Sequence, residues 1–188
     1  MTVIDGFNFG PLACLLGTWK GDKGMDIAPE PDGTEENPFY ETIQFDMVGD
    51  LKNAESQMLV AISYHQVVTR KSNDKVFHDE MGYWMWHEES QTLTQSLIIP
   101  RAVAVMAGGK HDGKPEGDSF KLDVKAKLGD NDWGIVESPF MRDNASTKAF
   151  EHVITVEGDT MKYFEKTTVD IYGKTFEHTD ENTLTRVK

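Results

Sequence analysis

The densest group of side chains able to do chemistry lies in "VFHDEMGYWMWHEE", residues 76–89. There His78, His87 and several carboxylates are interleaved with Met81, Tyr83, Trp84, Met85 and Trp86. In an extended chain alternate residues share a face, so His78 and Glu80 point the same way. An imidazole beside a carboxylate offers two ligands to zinc or iron, as in a mononuclear metal enzyme. Such a centre needs at least one more ligand, and the sequence holds no H-x-H, E-x-x-H or cysteine pair to supply it. The same histidine also reads as a hydrogen-bonding partner of a neighbouring strand, and the aromatic set as core. Other constellations are weaker. "GGKHDGKPEGD" is glycine-rich but lacks the G-K-[ST] ending of a phosphate loop. No G-x-S-x-G nucleophile elbow occurs. With 32 acidic residues, chance carboxylate pairs are common, so the sequence assigns no glycosidase chemistry.

What must position these residues is a succession of short period-two runs, each closed by a turn signal. They fall at 15–20, 40–48, 57–70, 75–88, 91–99, 101–107, 119–127, 148–156, 160–170 and 174–187. The connections carry Gly, Asn or Asp, as in "KSNDK", "VEGDT" and "IYGKT". About ten strands joined in sequence predict an all-β protein, a single antiparallel β-barrel closed to avoid exposed edges. One domain spans 1–188. Residues 22–39, rich in Pro, Gly and acids, read as a long loop, and 129–147 as a bulged strand or a loop. Sorted by face, Met58, Val60, Ile62, Tyr64 and Gln66 align, as do Ala102, Ala104 and Met106. On the last run Phe176, His178, Asp180, Asn182, Leu184 and Arg186 align. Neither face of 76–88 is purely polar, so the outer one is expected to be covered by loops or by the partner of a homodimer.

Composition narrows the partners. The chain has 188 residues, 38% hydrophobic and 27% charged, with a net charge of −13. That balance argues against nucleic acid and against an anionic membrane surface. No apolar run approaches membrane-spanning length. "MTVIDGFNFGPLACLLGTW" has no basic segment ahead of its apolar part, so no secretory signal is read and a cytoplasmic location is expected. Cys14, the single cysteine, reads as a small buried apolar residue.

Three segments resemble the nitrobindin family, haem-binding β-barrels related in fold to fatty-acid-binding proteins and lipocalins. "LLGTWKGDKG", residues 15–24, is close to that family's opening L-x-G-x-W-x-G-x-G. "ISYHQVVTRKSNDKVFHDEMGYW", residues 62–84, is similar to its Y-x-Q-x-T strand, turn and H-x-E-x-G-Y. "IIPRAVAVMAGG", residues 98–109, resembles the next segment with its Pro and closing Gly. The resemblance implies haem b held by an axial histidine near the C-terminus, here His178, with nitric oxide binding and peroxynitrite isomerisation as the activity. It implies a pocket lined by Tyr64, Met81, Met85, Met106 and Phe176, with Arg186 or Lys174 meeting the propionates. The chain departs from the pattern in two places. The opening motif has GDKG for G-x-G, and the last strand shifts its histidine by one residue. The family has H-L-x-A-x-L-x-R, whereas here Thr179 takes the matching place and His178 lies one position earlier. Such an offset exchanges the faces of a strand unless a bulge restores them. The alternative function is a non-enzymatic carrier of a fatty acid or other small apolar ligand without haem.

Overall fold

The computed structural model describes residues 2–4 and 6–188. A small hairpin, β1 (Val3–Ile4) and β2 (Phe7–Asn8), leads into a 3-10 turn at Gly10–Cys14. Then follow β3 (Gly17–Glu30), β4 (Gly33–Asn53), β5 (Gln57–Arg70), β6 (Lys75–His87), β7 (Thr92–Ile99), β8 (Val103–Lys110), β9 (Ser119–Lys127) and β10 (Ile135–Glu137). A short helix, α1 (Pro139–Asn144), precedes β11 (Ala145–Glu157), β12 (Thr160–Ile171) and β13 (Lys174–Arg186). Ser138 caps α1 by accepting from the Met141 amide, and Pro139 sits in its first turn.

The ring runs β8-β7-β6-β5-β4-β3-β13-β12-β11-β9 and closes through a β8–β9 contact at Gly108 and Lys125. This is the closed ten-strand antiparallel barrel that the alternation predicts. β10 lies beside the first part of β8, so β8 is shared between β10 and the seam with β9. Among the described residues no helix is long and apolar enough to cross a membrane.

The segment expected as a loop at 22–39 is instead the end of a long hairpin. β3 and β4 pair out to Glu30 and Gly33 around a tight Pro31–Asp32 turn. Pro, Gly and acidic residues gave the stretch a loop-like composition. Pro-Asp-Gly is also a turn signal between two strands, however, and that is the role it has here. The other irregular stretch, 129–147, resolves into a loop, β10, α1 and the first residues of β11.

One end of the barrel is plugged. Phe9, Leu12 and Leu15, in and around the 3-10 turn, are fully buried with Trp19, Ile62, Leu93, Leu122, Met161 and Leu184. Gly10 comes so close to Trp86 that a Cβ there would lie 2.3 Å from the indole ring. Arg186, at the end of β13, stacks its guanidinium 4.1 Å above Trp19. It donates to the Cys14 carbonyl at 2.9 Å and to the Leu16 carbonyl. Burial pushes the Cys14 thiol up to about 12, so it is an inert filler of this plug.

Candidate functional site

The other end of the barrel is where β13 begins, β3 ends and β6 begins. β13 pairs with β12 without interruption from Thr185 opposite Thr160 to Lys174 opposite Ile171. The alternation is therefore unbroken, and His178 and Asp180 share the lumen face of the buried Asn182 and Leu184. Asp26 enters from the neighbouring β3, opposite Asp180 and only 2% exposed. His178 Nε2 lies 2.5 Å from Asp26 Oδ1 and 3.5 Å from Asp180 Oδ2. Asn37, paired with Asp26 across the β3–β4 hairpin, donates to Asp26 Oδ2 at 2.8 Å. From β6, His78 places Nε2 3.4 Å from Glu80 Oε2.

The charges here follow from burial and pairing. Burial opposes charge on Asp26, but the hydrogen bond and charge of His178 outweigh it and hold the carboxyl below its usual range. Burial opposes charge on His178 too, yet the Asp26 bond and the Asp180 and Asp26 charges keep the imidazole above its usual value. The two form an ion pair. Asp180 is pushed up to about 7, first by burial, against the opposing His178 charge and with Asp26 adding to it.

Deeper in the lumen lie two further polar networks. Glu41, 3% exposed, accepts from Asn182 at 2.8 Å, Gln66 at 2.8 Å and the Tyr163 hydroxyl at 3.2 Å. Burial pushes it up to about 7 although all three donors pull the other way. Beside it, the Tyr64 hydroxyl donates to Glu80 at 2.5 Å and accepts from Gln95 at 2.8 Å. The Gln95 carbonyl in turn accepts from His152 Nδ1 at 3.0 Å. The same His152 nitrogen lies 3.7 Å from Glu165. Burial holds His152 down at about 4 and drives Glu165 well above the usual carboxylate range, so that pair meets as neutral groups.

The residues singled out from sequence divide between the two walls. His178, Tyr64 and Phe176 lie on the lumen face. Met81 and Met106 do not, being 53% and 44% exposed. Met85 alternates with the buried Trp84 and Trp86 and also faces outward. The expectation that these methionines line the lumen is corrected: both faces of β6 are apolar, so alternation fixed the grouping without saying which group points in. Met81, Tyr83, Ile98, Ala104, Met106 and Val136 instead line a hollow of about 650 Å³ on the outer wall. Arg186 is likewise corrected, because it clamps the plugged end far along β13 from His178. Lys174 stays near the open end, where it donates to the Glu30 carbonyl. Asp26 and Asn37 carry no signal in the sequence because the Pro-, Gly- and acid-rich β3–β4 hairpin has the composition of a loop. Glu41 and Glu165 were on assigned strands, but nothing in a single carboxylate's sequence context marks it as buried.

Haem asks for an imidazole nitrogen facing an open space, apolar walls, and a cation near its carboxylates. His178 supplies an imidazole on the lumen face, its Nε2 turned to Asp26 and Asp180. Val68, Val103 and Phe150 are buried apolar residues toward this end, with Ile99 packed against the core. Arg70, at the end of β5, stacks 4.8 Å over Phe77, and its buried Nε has no hydrogen-bond partner. An orphaned guanidinium donor at this end suits a carboxylate from outside the protein. The residues fit the group, with one cost: the nitrogen that would ligate is held by Asp26.

The family model described as "THAP4-like, heme-binding beta-barrel domain" matches residues 8–186. No curated protein matches the chain. Among solved structures, the crystal structure of Rv2717c from M. tuberculosis is similar, with a TM-score of 0.68 and 18% sequence identity. That match covers 94% of this chain and 95% of the other, and at this identity it speaks to fold.

Proposed function

Since the chain belongs to the family of THAP4-like haem-binding β-barrel domains, the nitrobindins, we propose that it holds ferric haem b at the open end of its barrel with His178 as axial ligand. The haem, when bound, would supply nitric oxide binding and the isomerisation of peroxynitrite to nitrate. The protein's own residues would do the rest. His178 must leave Asp26 and present a neutral nitrogen. The free Arg70 Nε would meet a propionate, and Phe150 with Val68 would limit water on the lumen side. The observation that carries this reading is the unbroken alternation of β13, which gives His178 the face of Leu184 without a bulge. A fatty acid would meet the same Arg70 Nε through its carboxylate but would give the lumen imidazole of His178 nothing to bind.

The test is a hemin titration of the purified protein followed by its Soret band. The wild type is expected to saturate at one equivalent and His178→Ala to lose the sharp band. Asp26→Asn frees the imidazole from a charge-assisted bond of about 1.5–3 kcal/mol, so its hemin affinity is expected to rise roughly tenfold or more. Identical weak spectra for wild type and His178→Ala would remove His178 as ligand.

A further inference from the structure

We propose that Asp26, His178 and Asp180 form a binding site for a bare divalent transition-metal ion of the zinc type, held by the protein directly when no haem is present. One donor atom from each of the three residues falls within 4.8 Å of the others. Metal–ligand distances of about 2.0–2.2 Å in a tetrahedral zinc site place donor atoms roughly 3.3–3.5 Å apart. The His178 to Asp180 separation, 3.5 Å, already has that value. The His178 to Asp26 separation, 2.5 Å, has to open by about 1 Å to admit an ion.

The surroundings are those of a built site. Asn37 anchors Asp26 through Oδ2, which leaves Oδ1 turned to the cluster, an outer-shell arrangement that fixes a ligand's direction. His78 approaches from β6, near enough for its charge to be felt at both His178 and Asp180. It is itself oriented by Glu80.

A second observation points to a cation independently of this geometry. Among the described residues, the carboxylates of Asp26, Glu80 and Asp180 pair with histidines alone, and no lysine or arginine compensates them. Buried carboxylates are ordinarily matched by a fixed cation or a metal. Here only imidazoles are at hand, and imidazole with carboxylate is the donor set suited to zinc, iron(II) or manganese. The lumen is thus short of positive charge where three ligand atoms converge. The sequence pair His78 and Glu80 pointed to metal chemistry in this region, but the converging set is Asp26, His178 and Asp180.

This inference does not rest on the haem reading, and the two occupants compete for the same imidazole. The experiment uses tag-free, haem-free full-length protein. Zinc ion is titrated calorimetrically, and cobalt(II) ion is added as a visible-absorption probe. One equivalent of zinc is expected to bind, and cobalt to give the intense bands of a low-symmetry four- or five-coordinate site. His178→Ala, Asp26→Asn and Asp180→Asn are each expected to weaken zinc by more than about 100-fold, beyond what an outer-shell partner contributes. The nearly isosteric Asn variants, checked by circular dichroism, keep the test valid if His178→Ala folds poorly. Asp26→Asn separates the two readings, since it is expected to weaken zinc and to strengthen hemin. Absence of zinc binding, or wild-type zinc affinity in both Asn variants, overturns the metal site whatever hemin does. Hemin uptake failing while zinc binding holds overturns only the haem reading.

Discussion

Gly109→Ala is expected to lower the melting temperature by roughly 10 °C, about 3 kcal/mol, by forcing the barrel seam apart. A Cβ at Gly109 would lie 2.0 Å from the backbone oxygen of Asp123 on β9 and 3.2 Å from its carbonyl carbon. Neither atom belongs to a side chain that can swing away, so relief requires β8 and β9 to separate. The seam has little to hold it, since the direct β8–β9 pairing is at Gly108 and Lys125. Gly108→Ala provides the comparison. Its Cβ would meet the Trp133 ring at 2.1 Å, a side chain able to give way, so a smaller loss is expected. Gly33→Ala has nothing within 4 Å and is expected to change stability by less than about 0.5 kcal/mol. Thermal denaturation of the three variants checks the order, and hydrogen exchange in β8 and β9 shows whether the seam is what opens. Equal melting temperatures for Gly109→Ala and Gly33→Ala would contradict the close approach.

Glu41→Gln is expected to gain stability relative to the wild type as pH rises, by about 3 kcal/mol between pH 4.5 and 7. Burial raises the folded-state value of Glu41 from 4.5 to about 7. At low pH the carboxyl is protonated in both states and costs nothing. As pH rises past 4.5 the unfolded chain ionises while the folded one must keep its proton, so stability falls until the folded group ionises near 7. Glutamine has no such proton, and the amide of Gln66 can turn to meet it. His152 works in the opposite sense: burial lowers it from 6.5 to about 4, so its contribution is present above 6.5 and lost as pH falls toward 4. In the wild type the two trends offset, which is why the variant-minus-wild-type difference is the quantity to follow. Urea denaturation at pH 4.5, 6 and 8 measures it, and a constant difference across the range would refute buried Glu41 as the source.

Much of the barrel was legible because a strand half-buried in a lumen alternates in sequence. The runs at 57–70 and 119–127 match β5 and β9 residue for residue. Alternation also grouped His178 with Asp180, Asn182 and Leu184, the set that shares the lumen face. It does not say which face is the lumen when both are apolar, and the outward Met81, Tyr83, Ile98 and Met106 made the two walls alike. It also fails where turn residues enter a strand. Pro29 and Pro38 sit within β3 and β4 and masked the hairpin that carries Asp26 and Asn37. The polar floor was invisible for a different reason: Glu41, Glu80, Gln95 and His152 meet only after distant strands curve around a common axis.

β3 finds one of its neighbours in β4, directly after it, and the other in β13, more than 140 residues later. Arg186 opposite Trp19 is the extreme of that pairing. A nascent chain on the ribosome therefore carries β3 with one hydrogen-bonding edge bare until β13 emerges, and β12 waits with it. Contacts of such sequence separation form slowly, and bare edges invite pairing with other chains. Premature termination anywhere before Lys174 removes the strand that brings His178, leaves the Trp19 plug without its clamp, and releases an open sheet prone to aggregate.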